Sequence, residues 1–427
     1  MELLLVFGAL ALFIIIGLPV AISLAGSSLV YLLIIGRYPE LVVLHRMVEG
    51  VDNFPLLAVP LFIFAGNLMN SAGITNRIFS FANAIVGWLR GGLGHVNVIA
   101  SVIFAGMSGA AVADAGGLGS IEIKAMKDAG YEGEVAVAIT AASATIGPII
   151  PPSLPMVIYG VQANESISRL FLAGIVPGLL MALSLMILIS WYAKARNYPR
   201  GDSFSVINLW TSFRKAFLSL LTPVIIVGGI LAGVFTPTEA AAAASAYALF
   251  LGIIVYRTLN LRRLMKVTLD SIETAISVLF IVAAATVFAW VLTRENVTQE
   301  LASFLLGMTN SKVLILLMLN VLLLIVGFFM ETVAAIIVLV PVLLPVVLQA
   351  GIDPAHFGVI MVLNLMIGLL TPPVGVVLYV LSGISKIPFE RCVRATLPFL
   401  FPLAVVLLIV VIFPEVSLFI PDVLLGK

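Results

Sequence analysis

The chain has 427 residues, 62% of them hydrophobic and 10% charged, with a formal net charge of +1. Soluble domains carry roughly a quarter charged residues, so a soluble globular protein is excluded, and near-neutrality gives no reason to expect nucleic acid or another polyanion as partner. The single cysteine, Cys392, excludes an intrachain disulfide and any CxxC metal or redox motif.

Apolar runs of about 18 residues or more recur along the chain, each long enough to cross roughly 30 Å of hydrocarbon. The first, "MELLLVFGALALFIIIGLPV", lacks a basic leader and a small-residue cleavage site, so it reads as a retained span. Further spans are expected over about 22–36, 54–72, 133–163, 168–193, 214–232, 239–256, 270–293, 354–383 and 395–414. Two apolar stretches, 92–128 and 312–350, are interrupted near the middle. If both are hairpins that enter and leave on one side and the N-terminus is outside, sixteen of the 22 Lys and Arg residues face the cytoplasm. That is the bias expected of a membrane protein; reading either stretch as a full crossing spoils it. "TNRIFSFANAIVGWLRGG" (Thr75–Gly92) and "NVTQELASFLLG" (Asn296–Gly307) precede the hairpins and read as interfacial amphipathic helices, either bracing arms or plain connectors. In "FTPTEAAAAASAYALF", Thr236-Pro237 opens a helix whose alanines suit close scaffold packing.

Proline pairs interrupt two of the spans, in "TIGPIIPPSLP" (Thr145–Pro155) and "MIGLLTPPVGV" (Met366–Val376). Proline removes a backbone donor and clashes with the preceding turn, so each helix is expected to break there. The two pairs are 221 positions apart. The same offset matches Gly106 with Gly327, Ala129-Gly130 with Ala350-Gly351, Ile146-Gly147 with Ile367-Gly368, and Pro177 with Pro398. In the topology above, the first hairpin opens from the cytoplasm and the second from outside, so the repeats are inverted. Inverted repeats with matching broken helices point to a secondary transporter with its site near the midplane. A break in lipid must be buried or line a polar cavity; its free carbonyls can hold sodium, and half-helix N-termini can hold an anion.

The hairpin tips, "GMSGAAVADAGG" (Gly106–Gly117) and "GFFMETVAA" (Gly327–Ala335), are rich in small residues and each carries one acid. Asp114 reads as a helix cap or scaffold residue and Glu331 as a substrate or cation group. No P-loop is present. "GMSG" fits the GxSG of an intramembrane serine protease with Ser108 as nucleophile. However, His45, His95 and His356 all sit near segment ends rather than at tip depth, leaving no base for it. An enzyme is not expected.

"FPLLAVPLFIFAGNLMNSAGI", "GMSGAAVADAGGLGSI", "IGPIIPPSLPMVIYG", "GVFTPTEAAAAASAYALFL" and "FGVIMVLNLMIGLLTPPVG" together resemble the large membrane (permease) subunit of TRAP (tripartite ATP-independent periplasmic) transporters. The likeness covers nearly the whole chain. It implies an all-α polytopic membrane protein of the bacterial inner membrane with inverted repeats, two re-entrant helical hairpins and two discontinuous helices, working as an elevator. Its parts would be N-terminal scaffold helices (1–53), repeat 1 (54–193), a connecting loop with scaffold helices (194–269), repeat 2 (270–414) and a C-terminal tail (415–427). Implied partners are a small four-helix membrane subunit, a periplasmic substrate-binding protein and membrane lipid. The implied cargo is an organic acid such as a C4-dicarboxylate or sialic acid, moved with sodium ions and without an organic cofactor.

Carried over by residue, the resemblance implies one sodium site at Gly106, Ser108, Gly147, Ile150 and Ser153. A second would use Gly327, Gly368, Thr371 and Val374, and substrate would lie near Ser108, Pro152, Glu331, Thr332 and Pro373. Ala110 stands where the family often has serine, and Glu331 where aspartate is usual; both departures touch the substrate region. A self-sufficient sodium/carboxylate symporter of similar architecture is the nearest alternative.

Overall fold

The computed structural model describes residues 2–426 apart from Asp202 and Asn310, with residues 2–4, 106–108 and 113 described by their backbone alone. Among the described residues the chain is helical throughout, with no strand and one isolated bridge between Arg90 and Arg200. Seven helices among the described residues are long and apolar enough to cross a membrane, and shorter apolar helices pair up at the hairpins and breaks. The protein is a multi-pass membrane protein.

Both interrupted stretches fold back on themselves. The first hairpin runs in along Gly92–Ser108, turns at Gly109 (φ 61°), and returns along Ala111–Gly117 and Gly119–Asp128. The second runs in along Lys312–Gly327 and back along Thr332–Gln349. Each is followed by a helix that stops at a proline pair and restarts beyond it. The first broken helix comprises Gly133–Ala144 and Leu154–Ala163, the second Pro354–Gly368 and Val376–Ser385. The offset holds in the helix bounds: Gly133–Ala144 shifted by 221 gives 354–365, against the observed Pro354–Gly368.

The first halves of the broken helices are enclosed on every side. All residues from Val135 to Ala144 and from Ala355 to Gly368 are buried, which is why neither half shows a polar stripe. Their ends are fixed by local chemistry. Asp353 accepts from the Ala355 and His356 amides ahead of Pro354 at the first helical position, and Ser153 accepts from the Met156 amide.

Around this unit stands a scaffold centred on Leu261–Arg294, a helix of 34 residues. Val20–Ile35, Leu41–Val51 and Ala58–Ser71 pack along it. Gly50 allows the closest approach, since a Cβ there would fall 2.2 Å from Thr286 Oγ1. The alanine-rich helix Pro237–Phe250 opens with a capping box between Thr236 and Glu239. It buries Ala240, Ala241, Ala244 and Ala248 against Ala58–Ser71, where Ser245 donates to the Leu61 carbonyl at 3.0 Å.

The C-terminal segment differs from the tail expected of it. Glu415–Leu425 is a helix lying on Ile167–Ala195. Ser417 meets His356 Nδ1 at 2.7 Å, and Asp422 joins Arg169, which also pairs with Asp353 at 2.7 Å. Pro421 inside the segment disguises it in the sequence, whereas Leu418 and Pro421 make its buried side.

The first proline break rests on the bare backbone of Ile167–Ala195: a Cβ on Gly174 would lie 2.1 Å from the Ile149 carbonyl oxygen. Gly174→Ala should therefore cost ~1–3 kcal/mol of overpacking and lower the apparent thermal midpoint of the purified protein. Gly116→Ala, where a Cβ meets nothing within 4 Å, should leave it unchanged or raise it.

Candidate functional site

Each hairpin tip is seated on the proline break of its own repeat. At the first, the Leu154 amide donates to the Gly109 carbonyl at 3.2 Å, and a Cβ on Gly109 would be 2.6 Å from the Pro152 carbonyl oxygen. At the second, Gly327 and Gly368 meet backbone to backbone: a Cβ on Gly368 would be 2.7 Å from the Gly327 carbonyl carbon. Only residues without side chains allow such approach. The Pro151–Pro152 and Pro372–Pro373 peptide bonds are both cis.

Buried amide side chains tie the inward limb of each hairpin to its broken helix. Asn97 donates to Thr140 Oγ1 at 2.7 Å and accepts from the Ser143 hydroxyl. In the second repeat Asn364, at the position 221 after Ser143, donates to Asn320 Oδ1 at 2.6 Å. A buried polar side chain is costly unless paired, so these bonds fix how each hairpin lies on its helix.

The residues of the two implied sodium sets fall as follows. Gly106 and Ser108 lie outside the residues with described side chains. Gly147 and Ser153 are buried in the first break and Ile150 is half-buried. The Ser153 hydroxyl is already engaged, bonding the Pro148 carbonyl and capping the following helix. Gly327 and Gly368 are in contact, Thr371 donates to the Ile367 carbonyl at 2.8 Å, and Val374 is exposed at the end of the second break. Thr371 Oγ1 keeps acceptor capacity after that donation.

Between the unit and the scaffold lies a cavity of about 560 Å³. Ala110, Glu331 and Thr332 from the tips and Pro148 and Leu369 from the breaks form one wall. Asn67, Asn70 and Thr274 from the scaffold form the other. Pro152 is buried in the first break and Pro373 is exposed in the second, and neither lines this space. The two asparagines did not stand out in the sequence reading. Their signal is present: amides one helical turn apart within an apolar span. Asn67 donates to Ser271 at 2.9 Å and Asn70 accepts from Thr75 at 3.1 Å.

Of the two tip acids, it is Glu331 and not Asp114 that caps a helix. Asp114 caps nothing, because its helix begins after Ala110 and the carboxylate sits a turn inside it. Glu331 is the cap: its carboxylate accepts from the Val333 and Ala334 amides at 2.8 and 3.2 Å while lining the cavity.

Residues 7–416 match the family model described as tripartite ATP-independent periplasmic transporter, DctM component. The chain is 49% identical to the sialic acid TRAP transporter large permease protein SiaM of Vibrio cholerae, over 99% of this chain and 98% of that one. It is 42% identical to the C4-dicarboxylate TRAP transporter large permease protein DctM of Pseudomonas aeruginosa, over 88% of each. Among solved structures, the YdaH transporter of Alcanivorax borkumensis, reported to have an unusual topology, superposes with a TM-score of 0.64 over 86% of both chains at 14% identity. That likeness concerns the fold.

Removing the Glu331 carboxylate exposes two helix N–H groups. Glu331→Ala should cost about 0.5–2 kcal/mol and accelerate hydrogen exchange at Val333 and Ala334. Glu331→Asp, which keeps a capping oxygen, should restore most of the protection.

Proposed function

Because the chain belongs to the family of tripartite ATP-independent periplasmic transporter DctM components, as a large permease subunit and not an enzyme, we propose that it imports an organic acid anion driven by sodium. The observation that carries this reading is the docking of two tips on two proline breaks around one shared cavity. In it, a small four-helix membrane subunit and a periplasmic binding protein complete the machine in the bacterial inner membrane. The N-terminus lies on the periplasmic side, the orientation that puts sixteen of 22 basic residues in the cytoplasm. Asn67 and Asn70 then lie in the cytoplasmic half of their helix, so the cavity opens inward.

The unit of hairpins and broken helices moves as one body, because its internal contacts are backbone on backbone and buried amide on amide. The small-residue scaffold stays behind, giving an elevator. Sodium would be held by Gly106, Ser108, Gly147, Ile150 and Ser153 in one site and by Gly327, Gly368, Thr371 and Val374 in the other. Carbonyl and hydroxyl oxygens suit such a cation. Among the described residues no lysine or arginine lines the cavity, so the bound cations are the natural counter-charge for a carboxylate, and coupling follows from that attraction.

Sialic acid is the preferred cargo. Its single carboxylate can face the first tip while its hydroxyl and amide groups meet Asn67, Asn70, Thr332 and Glu331. A C4-dicarboxylate would bring a second negative charge toward Glu331. Pro152 and Pro373 shape the tip seats from behind.

The test is uptake into proteoliposomes containing the chain and its small membrane partner. Labelled sialic acid and a labelled C4-dicarboxylate would be offered with and without an inward sodium gradient and the binding protein. Sialic acid uptake that needs both is expected. Uptake without the binding protein would make the protein a self-sufficient symporter, and dicarboxylate uptake alone would reassign the cargo. In the same assay Thr371→Val should raise the half-saturating sodium concentration about tenfold, equivalent to roughly 1.4 kcal/mol.

A further inference from the structure

One group of polar residues breaks the repeat. Asp114 and Glu122 lie on the returning limb of the first hairpin, where it packs against the first broken helix. They are 2% and 1% exposed. Neither Asp114 oxygen, nor Glu122 Oε1, has a hydrogen-bond partner among the described residues, although Ser101 is close enough to act on the Asp114 carboxyl. The two carboxyls are within electrostatic reach of each other, and neither forms an ion pair with a basic side chain among the described residues.

The positions 221 further on are Ala335 and Leu343, both buried. The neighbour of Asp114 follows suit: Ser101 corresponds to Leu322. The same scaffold of helices is thus built with apolar residues in the second repeat. Packing does not require the acids in the first. Two like charges buried together are among the costliest arrangements in a protein interior, and inside a membrane they are retained for function.

We propose that Asp114 and Glu122 form a third cation site, for a sodium ion, between the first hairpin and the first broken helix. The ion would bridge the two carboxylates, with Ser101 as a neutral oxygen beside Asp114, and offset much of their repulsion. Asp114 Oδ2 is 3.9 Å from where a Gly147 Cβ would be, so the ion would bear on the break itself and fix the hairpin against it. The site differs in kind from the two carbonyl sites, since it relies on formal charge. The inference rests on the sodium-driven reading above.

The test compares wild type with Asp114→Asn and Glu122→Gln in the reconstituted transporter at fixed pH. It reads the sodium-to-substrate ratio from the reversal potential, and the thermal midpoint of the purified protein with and without sodium. Both variants replace a buried carboxyl with a neutral amide of the same shape, so each should be at least as stable as wild type in sodium-free buffer. Each should also lose part of the sodium-induced stabilisation, carry one sodium fewer per substrate, and raise half-saturating sodium about tenfold. An unchanged ratio and unchanged sodium stabilisation in Glu122→Gln would overturn the site, even if Asp114→Asn were affected, because Asp114 would then only neighbour the first carbonyl site. A shift confined to the proton dependence of uptake would overturn it in favour of a proton. Wild-type uptake indifferent to sodium would instead remove the coupling on which the proposal stands, a result distinguishable before any variant is made.

Discussion

The constraint on which the rest of this structure depends is the unpaired backbone at two proline pairs. In hydrocarbon each unsatisfied carbonyl or amide costs several kcal/mol, so a broken helix survives only if something covers it. Here the cover is a hairpin from the same repeat. Its tip must come within backbone distance, which selects Gly109, Gly327 and Gly368 at the contact points. Its inward limb must not slide, which the Asn97 and Asn364 hydrogen bonds ensure. The full burial of the first halves of both broken helices follows from the same requirement.

Those requirements divide the molecule by chemistry. Inside the unit, contacts are made by glycine, proline carbonyls and paired amides. The scaffold uses alanine and glycine to bring long helices together, as at Ala240, Ala244 and Gly50. The cavity lies where the two chemistries meet, and amides from the scaffold face hydroxyl, carboxylate and backbone from the tips. In the proposed mechanism this absence of fixed positive charge is functional. A permanent lysine would hold an anion in both the loaded and the unloaded state, whereas a bound cation leaves with its gradient and releases the cargo.

The two repeats share a backbone plan but not a set of side chains. The first carries a polar seam of Asn97, Ser101, Thr140, Ser143, Asp114 and Glu122 behind its tip. The second carries one asparagine pair and otherwise apolar residues. Duplication explains the common plan. The divergence marks where the halves do different work, because an apolar core is the cheaper solution wherever packing alone is at stake.

The sequence alone was enough to establish the membrane class, the hairpins, the broken helices and the family. These rest on local or periodic signals: apolar length, the position of prolines and glycines, and an ungapped offset of 221. Charge bias supplied the orientation used in the functional reading. Other features were decided only by tertiary structure. Which tip acid caps a helix depends on where that helix starts: Asp114 stands four residues past the cap position, Ala110, whereas Glu331 is itself the cap. That Asn67, Asn70 and Thr274 line the cavity while Pro152 does not depends on how two bodies far apart in the chain are set against each other. The helical nature of Glu415–Leu425 also came from packing, through Ser417 and Asp422 on partners more than sixty residues away. Local backbone chemistry is written where it acts; the facing of side chains across a non-local interface is not.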